Sequence, residues 1–186
     1  MRRNIVRKAL LLLLLGIAAC APVMPERSKP GGAARWAQVL GTDAALRWAR
    51  DAMLVRVAGS GVGTEGWLPD RGGTWILTFQ SREAAKVLEV VVDTNGQVFV
   101  QKPAGEAIGT PLPALPEEWV DSPKAWAATS SHQKGVPLNT FEAELAYDAE
   151  PERHPGELVW RIRFYMQGGQ YETHVVNAEG RWLTSF

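Results

Sequence analysis

The sequence predicts an α+β protein made of two repeats, each a single helix packed on an antiparallel three- to four-stranded β-meander. Three observations lead there. From Trp75 to Gly96, large apolar residues alternate as Trp75, Leu77 and Phe79, and Val91-Val92-Asp93 then leads to Gly96. From Trp160 to Gly180 the spacing returns as Trp160, Ile162 and Phe164, then Val175-Val176-Asn177 and Gly180. Upstream of each stretch an aspartate stands five residues before a tryptophan in an alanine-rich segment, Asp43 with Trp48 and Asp121 with Trp126. A meander of three or four strands cannot cover its own apolar face, so each needs a helix laid across it.

Residues 1–19 read as a targeting segment and stand outside the fold. Arg2, Arg3, Arg7 and Lys8 precede an apolar run from Ala9 to Ala19. That run is shorter than the roughly 20 residues a bilayer-spanning helix needs. It closes on Ile17-Ala18-Ala19-Cys20, which resembles the lipobox of bacterial lipoproteins, and Cys20 is the chain's one cysteine. The resemblance implies cleavage before Cys20 and attachment of acyl groups to it, and several chains together hold a protein on a membrane. Ala21, where an aspartate would direct retention in the inner membrane, points to the outer membrane, facing the periplasm, if the source is Gram-negative. With a single cysteine, no internal disulfide forms.

Residues 20–34, rich in proline, glycine and charge, are expected to be a flexible tether. Repeat 1 is expected over residues 35–101. Its helix should start at Thr42 or Asp43, whose side chains suit an N-cap, and run to Met53 on the apolar face of Ala45, Trp48, Ala49 and Ala52. Strands follow from Leu54, over Trp75–Gln80 and Val87–Val92, and, after an Asp-Thr-Asn-Gly turn, over Val98–Val100. Residues 102–118 contain Pro103, Pro111, Pro113 and Pro116 and read as a semi-rigid linker. Repeat 2, residues 119–186, opens with a helix capped by Asp121 or Ser122, with Pro123 in its first turn and an end near Gly135. Strands are expected at Thr140–Tyr147, where Phe141, Ala143, Leu145 and Tyr147 share a face, at Leu158–Met166, at Tyr171–Asn177 and from Trp182. Val175 and Val176 compete for the buried face.

Candidate sites are few. Gly61-Val62-Gly63-Thr64-Glu65-Gly66 has the spacing of a dinucleotide fingerprint, but Trp67-Leu68-Pro69 follows where a helix must begin, so a plain flexible loop is expected and no nucleotide. His132, His154 and His174 show no metal-ligand spacing and are expected at the surface. Arg161 and Arg163 share one face of a strand, a candidate partner surface for an acidic protein or a lipid headgroup. Removing residues 1–19 removes four basic residues and leaves the remainder acidic, which speaks against nucleic acid. No cofactor, metal or catalytic group is expected.

An alanine- and tryptophan-bearing helix, W-x-x-x-F and V-V-D-x-x-G resemble the PepSY domain. Trp75, Phe79, Val91, Val92, Asp93 and Gly96 carry the resemblance first, and Trp160, Phe164, Val175, Val176, Asn177 and Gly180 carry it again. It implies tandem PepSY-like domains and a non-catalytic binding or modulatory role toward another envelope protein, with protease inhibition one form of it. The alternatives are an assembly lipoprotein of an outer-membrane complex and a small envelope hydrolase.

Overall fold

A computed structural model describes residues 32–101, 111–148 and 156–186. Cys20, His154, Pro103 and the expected targeting segment lie outside the described residues. The elements are α1 (Ala34–Trp48), β1 (Met53–Ser60), β2 (Thr74–Ser81), β3 (Lys86–Asp93), β4 (Val98–Gln101), α2 (Ser122–Thr129), a short 3₁₀ turn (Ser130–His132), β5 (Pro137–Tyr147), β6 (Leu158–Met166), β7 (Tyr171–Asn177) and β8 (Trp182–Ser185).

These strands form one antiparallel sheet of eight, ordered β4-β3-β2-β1-β5-β6-β7-β8. The expected pair of separate helix-and-meander repeats is thereby corrected. β1 and β5 pair directly, from Val57 opposite Leu145 to Ser60 opposite Glu142, so no boundary divides the sheet. The core is likewise continuous. One row of side chains runs Val92, Trp75, Gly59, Ala143, Ile162, His174, and the next runs Val90, Leu77, Val57, Leu145, Trp160, Val176. Above them Trp126 of α2 makes edge-to-face contact with both Trp75, at 6.4 Å, and Trp160, at 5.5 Å. Such aromatic pairs add about 0.5–1.5 kcal/mol beyond the area they bury. Each indole N–H is also satisfied: Trp75 donates to Gly32 O, Trp126 to Thr140 Oγ1 and Trp160 to Val120 O.

Helix α1 starts eight residues before Thr42 and ends at Trp48, not Met53. Asp43 stands exposed within it while Asp121 caps α2, so the two aspartates do not correspond. The sheet-facing stripe of α1 is made of small residues, Ala34, Ala37, Gly41, Ala44 and Ala45. Gly41 falls where the helix comes closest to the sheet; a Cβ there would sit 2.5 Å from Leu77 Cδ1. Close packing overrides glycine's poor helix propensity. In β1, Gly59 does the same for Trp75, whose ring would lie 2.6 Å from an added Cβ.

In β5 the register slips between Thr140 and Glu142. Thr140 is buried and takes the hydrogen bond of Trp126, while Phe141, expected inside, is turned out and exposed. A β-bulge re-aims side chains in this way. The Val175–Val176 competition resolves with both buried: Val176 lies opposite Trp160 in the core, and Val175 lies opposite Arg161 on the other face.

Candidate binding face

The helices lie on one face of the sheet. On the other, the outward residues of β1, β5, β6 and β7 form a groove of about 580 Å³, reaching from Arg56 and Glu144 past Arg161 and Arg163 to Tyr171 and Phe186. Cross-strand pairing builds it: Glu144 stands opposite Arg161 and Glu142 opposite Arg163. Alternation along a strand sends Arg161, Arg163 and Tyr165 to this side once Trp160, Ile162 and Phe164 are inside.

The two arginines singled out from the sequence are held differently. Arg161 is paired with Asp148, whose side chain is 2% exposed, so this pair is part of the framework. Arg163 is bound at 3.3 Å to Glu142, and both of those side chains are well exposed. An exposed pair of this kind is worth at most about 1 kcal/mol. The Arg163 guanidinium carbon lies 4.8 Å from the Tyr171 ring centroid and 5.7 Å from that of Phe141, while Phe141 and Tyr171 meet edge to face at 5.1 Å. Its Nε is buried and has no hydrogen-bond partner among the described residues. Arg163 is therefore fixed by rings, loosely held by a carboxylate and left with an unused donor. Arg56, paired with Glu144, completes a line of three arginines. Arg163 and Arg161 were accessible to pattern reading. Phe141 and Tyr171 were not, because the bulge that exposes Phe141 leaves no local signature.

Beneath the 3₁₀ turn lies a second polar group. His174 was expected at the surface but is fully buried on the core face of β7. Its Nδ1 accepts the indole N–H of Trp182 at 3.2 Å, and its Nε2 lies 3.3 Å from Glu172 Oε1 without hydrogen-bond alignment. His132 stacks on the other side of this arrangement, parallel to Trp182 at 3.8 Å. Burial pushes the His174 imidazole below its usual range, and the Glu172 carboxylate pulls the other way. The structure thus gathers His132 and His174 around Trp182.

The glycine-rich segment is packed against the body of the protein. Val62 and Leu68 are buried, Gly63 N bonds Trp67 O at 2.7 Å, and Leu68 N bonds Gly32 O at 3.2 Å. Burial of two apolar side chains replaces the flexible loop that was expected, and β2, not a helix, comes next. Among the described residues no group of three or more His, Cys, Asp or Glu side chains is gathered as a metal site, and no helix is long and apolar enough to cross a membrane. No protein-family model, curated protein or solved structure matches the chain.

Proposed function

We propose that this protein is a lipid-tethered binding module of the cell envelope, anchored through acyl groups on Cys20, that docks an acidic segment of another envelope protein in the groove on the helix-free face of its sheet. The role is non-catalytic. The observation that carries it is the state of Arg163. Its guanidinium is pre-positioned against Phe141 and Tyr171, so little side-chain entropy is lost on binding. Its partner Glu142 is exposed and exchangeable. A carboxylate from an incoming chain can replace Glu142 at the exposed terminal nitrogens of the guanidinium, a geometry for which the arginine fork is suited. Arg161, held by Asp148, shapes the groove rather than binding in it.

The test is site-specific photocrosslinking in intact cells from a reactive residue placed at Phe186, beside the groove. The expected result is capture of an envelope protein that is lost in Arg163→Gln and weakened by added salt. Equal capture from Val39 on the helix side, or capture indifferent to Arg163→Gln, would overturn the proposal.

A further inference from the structure

Strand β4 closes one edge of the sheet, and with Gln97, the residue before it, its sequence reads the same in both directions. Gln97, Val98, Phe99, Val100 and Gln101 are palindromic about Phe99. All five are exposed. Natural edge strands are usually blocked by charge, proline or a covering segment; Gln97 to Gln101 include neither charge nor proline. The opposite edge differs, since each residue of β8 is partly buried.

The hydrogen-bond phase of β4 fits the same symmetry. Asp93 N donates to Gln97 O at 3.1 Å and Asp93 O accepts from Gly96 N at 3.0 Å, so the backbone groups of Asp93 face the β4 side. Antiparallel ladders alternate, so those of Val91 face it too, and Val91 and Phe99 form a hydrogen-bonded pair. The N–H and C=O groups of Val98 and Val100 therefore point away from the sheet, at an edge that pairs with no other strand among the described residues. Lay a second β4 antiparallel on it with a two-fold axis at Phe99. Val98 then faces the partner's Val100, and each of the two equivalent pairs exchanges two hydrogen bonds. Gln97 faces Gln101, Phe99 faces its own copy, and no like charges are opposed. All four outward groups are used.

We infer that β4 is a self-association edge that joins the eight-stranded sheets of two copies into one. The axis stands perpendicular to the sheet, so both grooves open on the same side. Phe99 belongs to the outward row that continues through Val91, Ile76, Ala58 and Glu144 to Arg161, and that row runs unbroken from one groove to the other. A pair of copies would hold a partner at two points, which raises avidity without any new contact.

Two measurements on the full chain in detergent test this. Sedimentation of the wild-type chain should give a two-chain mass. Val100→Pro should give one chain with an unchanged circular dichroism spectrum, because that proline removes an outward N–H and no bond to β3. Under mild oxidation Phe99→Cys should form a disulfide-linked dimer, since facing residues of a non-hydrogen-bonded pair lie about 4.5 Å apart at Cα, within disulfide reach. Thr184→Cys on the β8 edge should remain single. A wild-type monomer, equal crosslinking by Phe99→Cys and Thr184→Cys, or a Phe99→Cys adduct with a different protein would each overturn the inference, the last by showing that the edge takes a foreign strand.

Discussion

Asp121 Oδ1 accepts the backbone N–H of Arg35 at 3.0 Å, across 86 residues of sequence, while also accepting the N–H of Ser122 at 2.8 Å. One carboxylate oxygen thus serves the first amides of both helices. Ser122 Oγ takes the neighbouring amide of Ala34 at 3.0 Å. Helix α1 has no capping side chain of its own, so its unpaired amides are satisfied from the start of α2.

Asp121→Ala should therefore cost more than an ordinary cap, about 2–3 kcal/mol in urea unfolding, given roughly 1 kcal/mol per lost cap bond. Asp121→Asn keeps the acceptor and should cost less than half of that. The pH dependence separates the two contributions. Burial raises the carboxyl of Asp121 above its ordinary value of 3.8, the Arg35 and Ser122 amides opposing. A raised carboxyl favours the protonated folded state, so its contribution to stability declines as pH rises from about 3.8 through the raised folded value and is level above it. Asp121→Asn should remove that decline. A variant whose stability tracks the wild type in parallel across this range would refute the account.

Trp126 gives a test of whether the chain is one folding unit. Its ring touches Trp75 in one half of the sheet and Trp160 in the other. Trp126→Ala should cost about 3–5 kcal/mol, the usual range for deleting a buried indole. The loss should shift a single cooperative transition seen equally by near- and far-ultraviolet circular dichroism. A split into two transitions, one of them unmoved, would mean that the halves of the sheet melt separately.

The strands were legible because alternation writes each buried face directly into the sequence: Trp75, Leu77 and Phe79, or Trp160, Ile162 and Phe164. Helix α2 was legible because Asp121 and Pro123 mark its start locally. Helix α1 was misplaced because its caps lie far along the chain and because Gly41 resembles a stop signal until Leu77 is packed against it. The union of the halves depends on Val57 meeting Leu145 and Gly59 meeting Ala143, pairings that no local pattern encodes. For the binding face, Arg161 and Arg163 could be read from periodicity. The difference between them rests on Asp148 being buried and Glu142 exposed, and only the fold decides that.

Gly59 should tolerate no side chain. Besides the Trp75 ring, Val62 Cγ2 lies 2.6 Å from where a Cβ would stand. Trp75 cannot swing away without losing its bond to Gly32 O. Gly59→Ala is expected to cost about 1–3 kcal/mol through overpacking, although alanine would otherwise reduce the entropy of the unfolded chain. Thermal unfolding measures it, and a neutral or stabilising effect would show that the contact between β1 and Trp75 is looser than described.

His174 is expected to make the fold sensitive to acid. Its Nδ1 accepts from Trp182, so it carries no proton, and the charged imidazole, a donor at both nitrogens, must give up that bond. Glu172 faces the ring from the same strand, with His132 and Lys134 nearby on the connection after α2; burial lowers the proton affinity of His174 most, and the Coulombic influence of His132 and Lys134 pushes the same way, against Glu172. A histidine whose folded-state affinity for protons is depressed contributes stability that is complete above its ordinary value of 6.5 and lost as pH falls from there toward the depressed folded value. Stability should accordingly fall with pH from about 6.5 downward. His174→Gln, which offers Trp182 an acceptor that does not titrate, should flatten that limb while leaving a smaller, pH-independent loss of about 1–2 kcal/mol from imperfect packing. If the two proteins lost stability in parallel between pH 7 and 5, the acid sensitivity would have to be assigned to another group, and the buried imidazole would be merely a packed ring.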